Sequence, residues 1–393
     1  MSLNTFRRLS IPSLVILLSF HGISAAQSQE DGFRPLFNGK DLTGWVFVNT
    51  PPQTWSVQDG MLLCTGKPIG EIRTDRMYQN FILEVEWRHM VPRGNAGIFV
   101  WADDITARGV PFHRGIEVQV LENAYGNTRS HTTHGDIFPI HGAKMVPENG
   151  RGGSRAFPTE ERSHPSPEWN HYRIECVDGS ISLAVNGKVV TRGTDCQPRK
   201  GYICIESEGG VVHYRNMKIK ELPSSALKDG DVAIADRHLR SLYTGLDLSG
   251  WNGGKDEQGS SWKSQDWILR AEAPAGQSTA PLVTDQQFTA TRFVTDFRLS
   301  NDQCVAELQF RTPAGQVLSA IRSSDSVVAA ALQPAGQWNR VEGMLVDGEL
   351  TVTVNSQTVV HQRSVPTEGR KFHLALNASG GVDFANIFAT ASE

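Results

Sequence analysis

Gly115-Ile116-Glu117-Val118-Gln119-Val120-Leu121-Glu122-Asn123 alternates as a β-strand does. Ile116, Val118 and Val120 take one face, and Glu117, Gln119 and Leu121 take the other. An acid and an amide two residues apart therefore project into the same space. In the hollow of a curved sheet they meet a ligand; on an outer antiparallel face they meet solvent. The next stretch, Tyr125 to Met145, holds His131, His134, Asp136 and His141 among turn residues, which concentrates titratable groups near one sheet edge.

Outward from this strand the chain keeps the same character. Phe81, Leu83, Val85 and Trp87 oppose Ile82, Glu84, Glu86 and Arg88. Ile181 to Val185 precedes Asn186-Gly187, a type I′ hairpin signal. Tyr202–Glu206 and Val211–Lys220 flank Gly209-Gly210. Many short strands with regular turns and no sustained helical period predict an all-β fold built of sandwiches. A short helix is expected only around Thr159 to Arg162.

The two halves resemble each other. Leu36-Phe37-Asn38-Gly39-Lys40-Asp41-Leu42-Thr43-Gly44-Trp45 returns as Leu242-Tyr243-Thr244-Gly245-Leu246-Asp247-Leu248-Ser249-Gly250-Trp251. Glu86-Trp87-Arg88 returns as Asp296-Phe297-Arg298, Trp169-Asn170 as Trp338-Asn339, Asn186 as Asn355, and Asn216 as Asn386. Conserved order and spacing indicate a duplicated domain. The Arg88–Trp169 interval is about twice as long as the matching Arg298–Trp338 interval. The acidic strand, the clustered histidines and Gly150-Arg151-Gly152-Gly153 fall in the part the second copy lacks. The expected division is 1–26 as export signal, 27–222 as first domain, 223–239 as linker and 240–393 as a shorter, degenerate second domain.

The totals exclude several classes. The chain has 393 residues and a formal net charge of -4, with no basic run or stripe, so no nucleic-acid partner is expected. Arg7 and Arg8, the apolar Leu14-Val15-Ile16-Leu17-Leu18 and the small Ser24 and Ala26 read as an export signal, with the mature chain starting at Gln27. No other stretch is apolar enough to span a bilayer, so a periplasmic or extracellular protein is expected. Five cysteines without a CxxC argue against a zinc ribbon, and leave room for one disulfide, with Cys196 the freest to join it.

Several of these segments together resemble the bacterial 3-keto-disaccharide hydrolase family, also described as a 3-keto-α-glucoside 1,2-lyase/3-keto-2-hydroxy-glucal hydratase domain. The resemblance rests on Leu36 to Trp45, Phe81 to Arg88 and Gly94-Asn95-Ala96-Gly97-Ile98-Phe99. It continues through Gly115 to Asn123, Trp169-Asn170 and Gly201-Tyr202-Ile203 to Arg215-Asn216. It spans Phe33 to Leu222, while the second copy resembles the family only at its edges. Ala96, Glu122 and Gly135 to Pro139 depart from the family pattern. The resemblance implies two tandem concanavalin-like jelly-roll sandwiches and cleavage of an oxidised, 3-keto glycoside or disaccharide. A ketone at C3 acidifies the C2 proton; a base takes it, the C1 aglycone leaves by elimination, and water adds.

That chemistry needs a base, an acid and a stabiliser for the enolate oxygen. His134 is the first candidate for proton transfer, with Glu117 beside it, then His141 and His131. Arg88 is the candidate for charge stabilisation. Gln119, Arg93, Asn95, Trp101 and Tyr125 are candidates for holding the sugar, the aromatic rings by stacking. Glu117, His134 and Asp136 form a possible divalent metal set. A retaining glycosidase would need two facing carboxylates, but the acid-x-acid strand pattern is broken by Gln119. The alternative is a non-catalytic, lectin-like carbohydrate-binding module.

Overall fold

A computed structural model describes Met1 and residues 32–126, 128–254, 261–274, 276–364 and 371–390. Beyond Met1, the expected export signal lies outside the described residues. Four sheets, all paired antiparallel, form two sandwiches in tandem.

In the first sandwich the larger sheet runs Lys144–Pro147, Lys188–Gln197, Ser180–Val185, Asn170–Val177, Phe81–His89, Val212–Glu221, Met61–Cys64 and Trp55–Gln58, with Arg34–Pro35 beside Val212–Glu221. The smaller sheet runs Trp45–Val48, Gly70–Thr74, Tyr202–Ser207, Gly97–Ala102, Gly115–Gln119 and Ile137–Ile140. The alternation read from sequence fixes which faces meet. Leu83, Val85, Trp87, Ile98, Val118, Tyr172 and Tyr214 share one core between the sheets. Burying each such large side chain contributes roughly 1.5–3 kcal/mol. Asn186 and Gly187 both have positive φ, 48° and 87°, as a type I′ turn requires.

The second sandwich repeats this plan with fewer strands. One sheet holds eight strands around Val382–Thr390 and Thr291–Leu299, the other five around His373–Ser379 and Val305–Arg311. Among the described residues it has no counterpart of Ile137–Ile140 or Lys144–Pro147. No helix forms at Thr159 to Arg162; the described helical turns are Pro52–Thr54, Asn123–Tyr125 and Ser326–Ala329. All five cysteines are buried free thiols, so the possible disulfide at Cys196 is not formed.

The sandwiches touch mainly through the long connection of residues 103–114, between the Gly97–Ala102 and Gly115–Gln119 strands, and also where Asn49 N–H donates to Ser241 Oγ and Ile69 N–H to Asp266 Oδ1. Ile105 packs with Val48, Leu239, Val294 and Phe388. Asn386, 1% exposed, donates from Nδ2 to Ala107 O, Val110 O and Asp296 Oδ2, and accepts from Asn49 and Thr106. Asp296 also accepts from Gly109 N at 2.8 Å and from Arg340. Gly109 lies against Trp338 so closely that a Cβ there would sit 2.2 Å from its Cγ. The segment after Glu221 runs back along the first sandwich, held by Arg199–Asp231 and Arg73–Asp236.

Candidate functional site

The face of the smaller sheet that looks away from the first core carries a row of acids. Glu206 lies opposite Glu71, and Gly97 opposite Gln119, in the antiparallel register. Glu117 and Gln119 therefore share this outward face with Glu71 and Glu206. Solvent barely reaches the Gly115–Gln119 strand, which is buried along its length, and meets the row only at its Gln119 and Glu208 end. Of the two readings of this strand, the solvated outer face is therefore the one that does not hold.

Gly97 makes this crowding possible. A Cβ built there would lie 2.9 Å from Glu117 Oε1 and 3.0 Å from Glu206 Oε2, so the two carboxylates converge over a backbone without a side chain. Glu206 Oε2 is buried and has no hydrogen-bond partner among the described residues. Asn95 Nδ2 donates to Glu208. Gln119 Nε2 donates to Asn95 Oδ1 at 3.1 Å and Glu117 Oε1 at 3.3 Å. Arg155 closes the row, donating to Gln119 Oε1 and Asp136 Oδ2 while its guanidinium stacks 3.4 Å from the Phe138 ring centroid.

Burial is the main cause of a common electrostatic effect: it raises the carboxyls of Glu117, Glu206 and Glu71, and lifts Glu208 to about 7. Glu208 pushes Glu117 and Glu206 further up, whereas Arg155 pulls Glu117 back down. Beside the row opens a cleft of about 260 Å³ lined by Asn95, Gln119, Leu121, Tyr125, His131 and Arg155.

The sequence candidates divide accordingly. Glu117, Gln119, Asn95 and Tyr125 come together. Arg93 stands beside them, its guanidinium 6.0 Å from the Tyr125 ring and its backbone N–H donating to Glu122. His134 is drawn elsewhere by its turn: Nδ1 lies 2.7 Å from Ser163 Oγ and Nε2 3.7 Å from Glu161. His141 sits exposed on the turn after Ile137–Ile140, at φ 52°. Arg88 belongs to the larger sheet, on its outer face, stacked 4.5 Å from the Trp169 ring. Glu117 lies on the other side of the sandwich, so Arg88 cannot stabilise charge there. Glu86 shares that far face, bound to Arg215 and Asn216, and cannot pair with Glu117. Trp101 is wholly buried and donates to Gln79 O, so it offers no ring to a sugar.

The metal expectation also changes. Asp136 spends its carboxylate on Thr132 and Arg155, and His134 faces Ser163, so Glu117, His134 and Asp136 do not converge. Among the described residues one group has the spacing for a cation: Glu71, His113 and Cys204, with ligand atoms all within 4.8 Å of one another. Those three, with Glu206, Glu208 and Arg155, are what sequence reading missed. Glu206-Ser207-Glu208 is the acid-x-acid pattern sought around Glu117, carried by another strand of the same sheet.

A family model described as 3-keto-alpha-glucoside-1,2-lyase-like domain matches residues 32–220 and again 238–390. The chain belongs to this family. The second match corrects the expectation that the second copy resembles the family only at its edges. Family membership gives the chain a carbohydrate-associated role, and its fold is the tandem concanavalin-like jelly roll. Solved structures similar to it include a Parabacteroides distasonis protein titled "putative glycosyl hydrolase", at 22% identity and TM-score 0.38, covering 49% of this chain and 94% of that one. The carbohydrate binding module CBM66 from Bacillus subtilis is 13% identical with TM-score 0.34, covering 46% and 97%. A Bacillus licheniformis beta-glucanase is 14% identical with TM-score 0.33, covering 49% and 97%. No curated protein matches the chain. No helix among the described residues is long and apolar enough to cross a membrane.

Proposed function

We propose that the cleft beside Gln119 binds a carbohydrate. The observation that carries this reading is the lining: the amides of Asn95 and Gln119 and the guanidinium of Arg155 converge at one wall, with the Tyr125 ring at another. Fixed amides and a guanidinium match sugar hydroxyls, and an aromatic ring matches a pyranose face. Calorimetry against glucosides and their 3-keto derivatives tests it. Gln119→Ala, with its circular dichroism unchanged, is expected to weaken binding at least about tenfold, the loss of one or two hydrogen bonds to ligand. Unchanged affinity in that variant removes the cleft as the binding site.

A second reading, turnover of a 3-keto glycoside, is favoured by the row of buried carboxyls. Glu208, raised to about 7, is divided between its acid and base forms at neutral pH, as a proton-transfer group should be. In this reading the Glu208 carboxylate takes the C2 proton and the electron pair moves onto the C3 oxygen as an enolate facing Arg155. The C1–oxygen bond then breaks as Glu117, kept protonated by burial, gives its proton to the leaving oxygen. Water adds across the unsaturated sugar, and the two carboxyls return to their starting states.

Incubation with a 3-keto-glucoside in heavy water separates the readings. Sugar release with deuterium at C2, lost in Glu117→Gln and Glu208→Gln while binding persists, supports turnover. Binding without release leaves the module as a sugar binder.

A further inference from the structure

Glu71, His113 and Cys204 come from three elements. Glu71 lies on the Gly70–Thr74 strand and Cys204 on the neighbouring Tyr202–Ser207 strand, where the register sets them diagonally on one face. His113 comes from the long connection folded over that face, and its approach is fixed. Its backbone bridges to Thr106, and both its N–H and its Nδ1 contact the Glu71 carboxylate. All three side chains are wholly buried. The imidazole meets the carboxylate through Nδ1, while Nε2, on the opposite edge of the ring, is buried with no hydrogen-bond partner, so Glu71 alone holds the ring. Arg73, the guanidinium whose charge reaches Cys204, is already paired with Asp236 at 3.0 Å and leaves the thiol without a cation of its own.

We propose that Glu71, His113 and Cys204 bind a borderline divalent cation of the zinc and cobalt class, at a structural site that fastens the 103–114 connection to the sheet. The donor set decides the class. One carboxylate oxygen, one imidazole nitrogen and one sulfur suit zinc or cobalt, whereas magnesium and calcium take oxygen alone. Ligand atoms around such an ion stand about 3.3–3.8 Å apart, given metal–ligand bonds of about 2.0–2.3 Å. A group already within 4.8 Å closes onto the ion by side-chain rotation. On binding, the thiol gives up its proton to solvent and the thiolate takes a place on the metal. Because the site is closed to solvent, the ion enters as the chain folds. This site is distinct from the sugar cleft, and the inference stands whether or not the cleft binds carbohydrate.

Cobalt(II) is the probe. The full-length protein is unfolded with chelator present and refolded with cobalt(II), then examined by absorption and metal analysis. One bound equivalent per chain with a thiolate-to-cobalt charge-transfer band is expected. The band should vanish in Cys204→Ser and persist in Cys176→Ser, whose thiol is buried in the core. In His113→Gln the bound equivalent should fall away, and wild-type protein should melt higher with zinc than with chelator. Absence of the band in refolded wild-type protein overturns the proposal without recourse to any variant. A band retained in Cys204→Ser overturns it as well, leaving Glu71 and His113 as a buried ion pair only.

Discussion

Gly97 sets the character of the site, because its missing side chain is the space in which Glu117 and Glu206 converge. Gly97→Ala is expected to keep the fold, force the two carboxylates apart and lower sugar affinity at least about tenfold, read by calorimetry. Glu208 carries a second test at this scale. Its carboxyl is raised to about 7 in the folded chain against 4.5 when exposed, so the unfolded chain loses that proton first as pH rises. The stability tied to Glu208 is full below about pH 4.5 and is lost as pH rises through about 7. Glu208→Gln, which cannot ionise, should flatten that part of the melting-temperature profile, a change of roughly 3 kcal/mol across the window. An unaltered profile would show that Glu208 is ionised throughout.

The elements divide into those whose role is local and those whose role is not. Strands such as Phe81–His89 and Gly115–Gln119 were legible because alternation is a property of the strand itself. The partner across the sandwich was not. Nothing local distinguishes the outer face that carries Arg88 from the one that carries Glu117, yet the two faces lie on opposite sides of the molecule. Trp101 misled for another reason: its backbone turns to φ 56°, and the indole swings into the core. Glu206-Ser207-Glu208 was readable as a pattern, but its nearness to Glu117 depends on strands far apart in sequence lying side by side in one sheet. The 103–114 connection is the other non-local element, and its grip on the second sandwich centres on Asp296. Asp296→Ala leaves Arg340 without its buried partner and is expected to cost about 3–5 kcal/mol, seen as a lower denaturant midpoint.

At the scale of the whole molecule, the two sandwiches have separate cores but share a seam. Residues 27–222 alone should still bind sugar, since every residue lining the cleft lies within them. The fragment should nevertheless melt lower than the full chain, because Ile105 and Val48 lose their apolar cover and the backbone of Ala107 to Val110 loses its polar partners. Equal melting temperatures would mean the seam contributes nothing. The seam also sets the two copies apart. Asp296, Asn386 and Trp338 correspond to Glu86, Asn216 and Trp169, which on the first copy sit on an open face. The same three positions are thus surface in one copy and mortar in the other. With a loop of the first half leaning on the second, deletion of the second half carries a stability penalty, whatever ligands that half does or does not bind. A truncation that removes the second copy therefore unroofs the first.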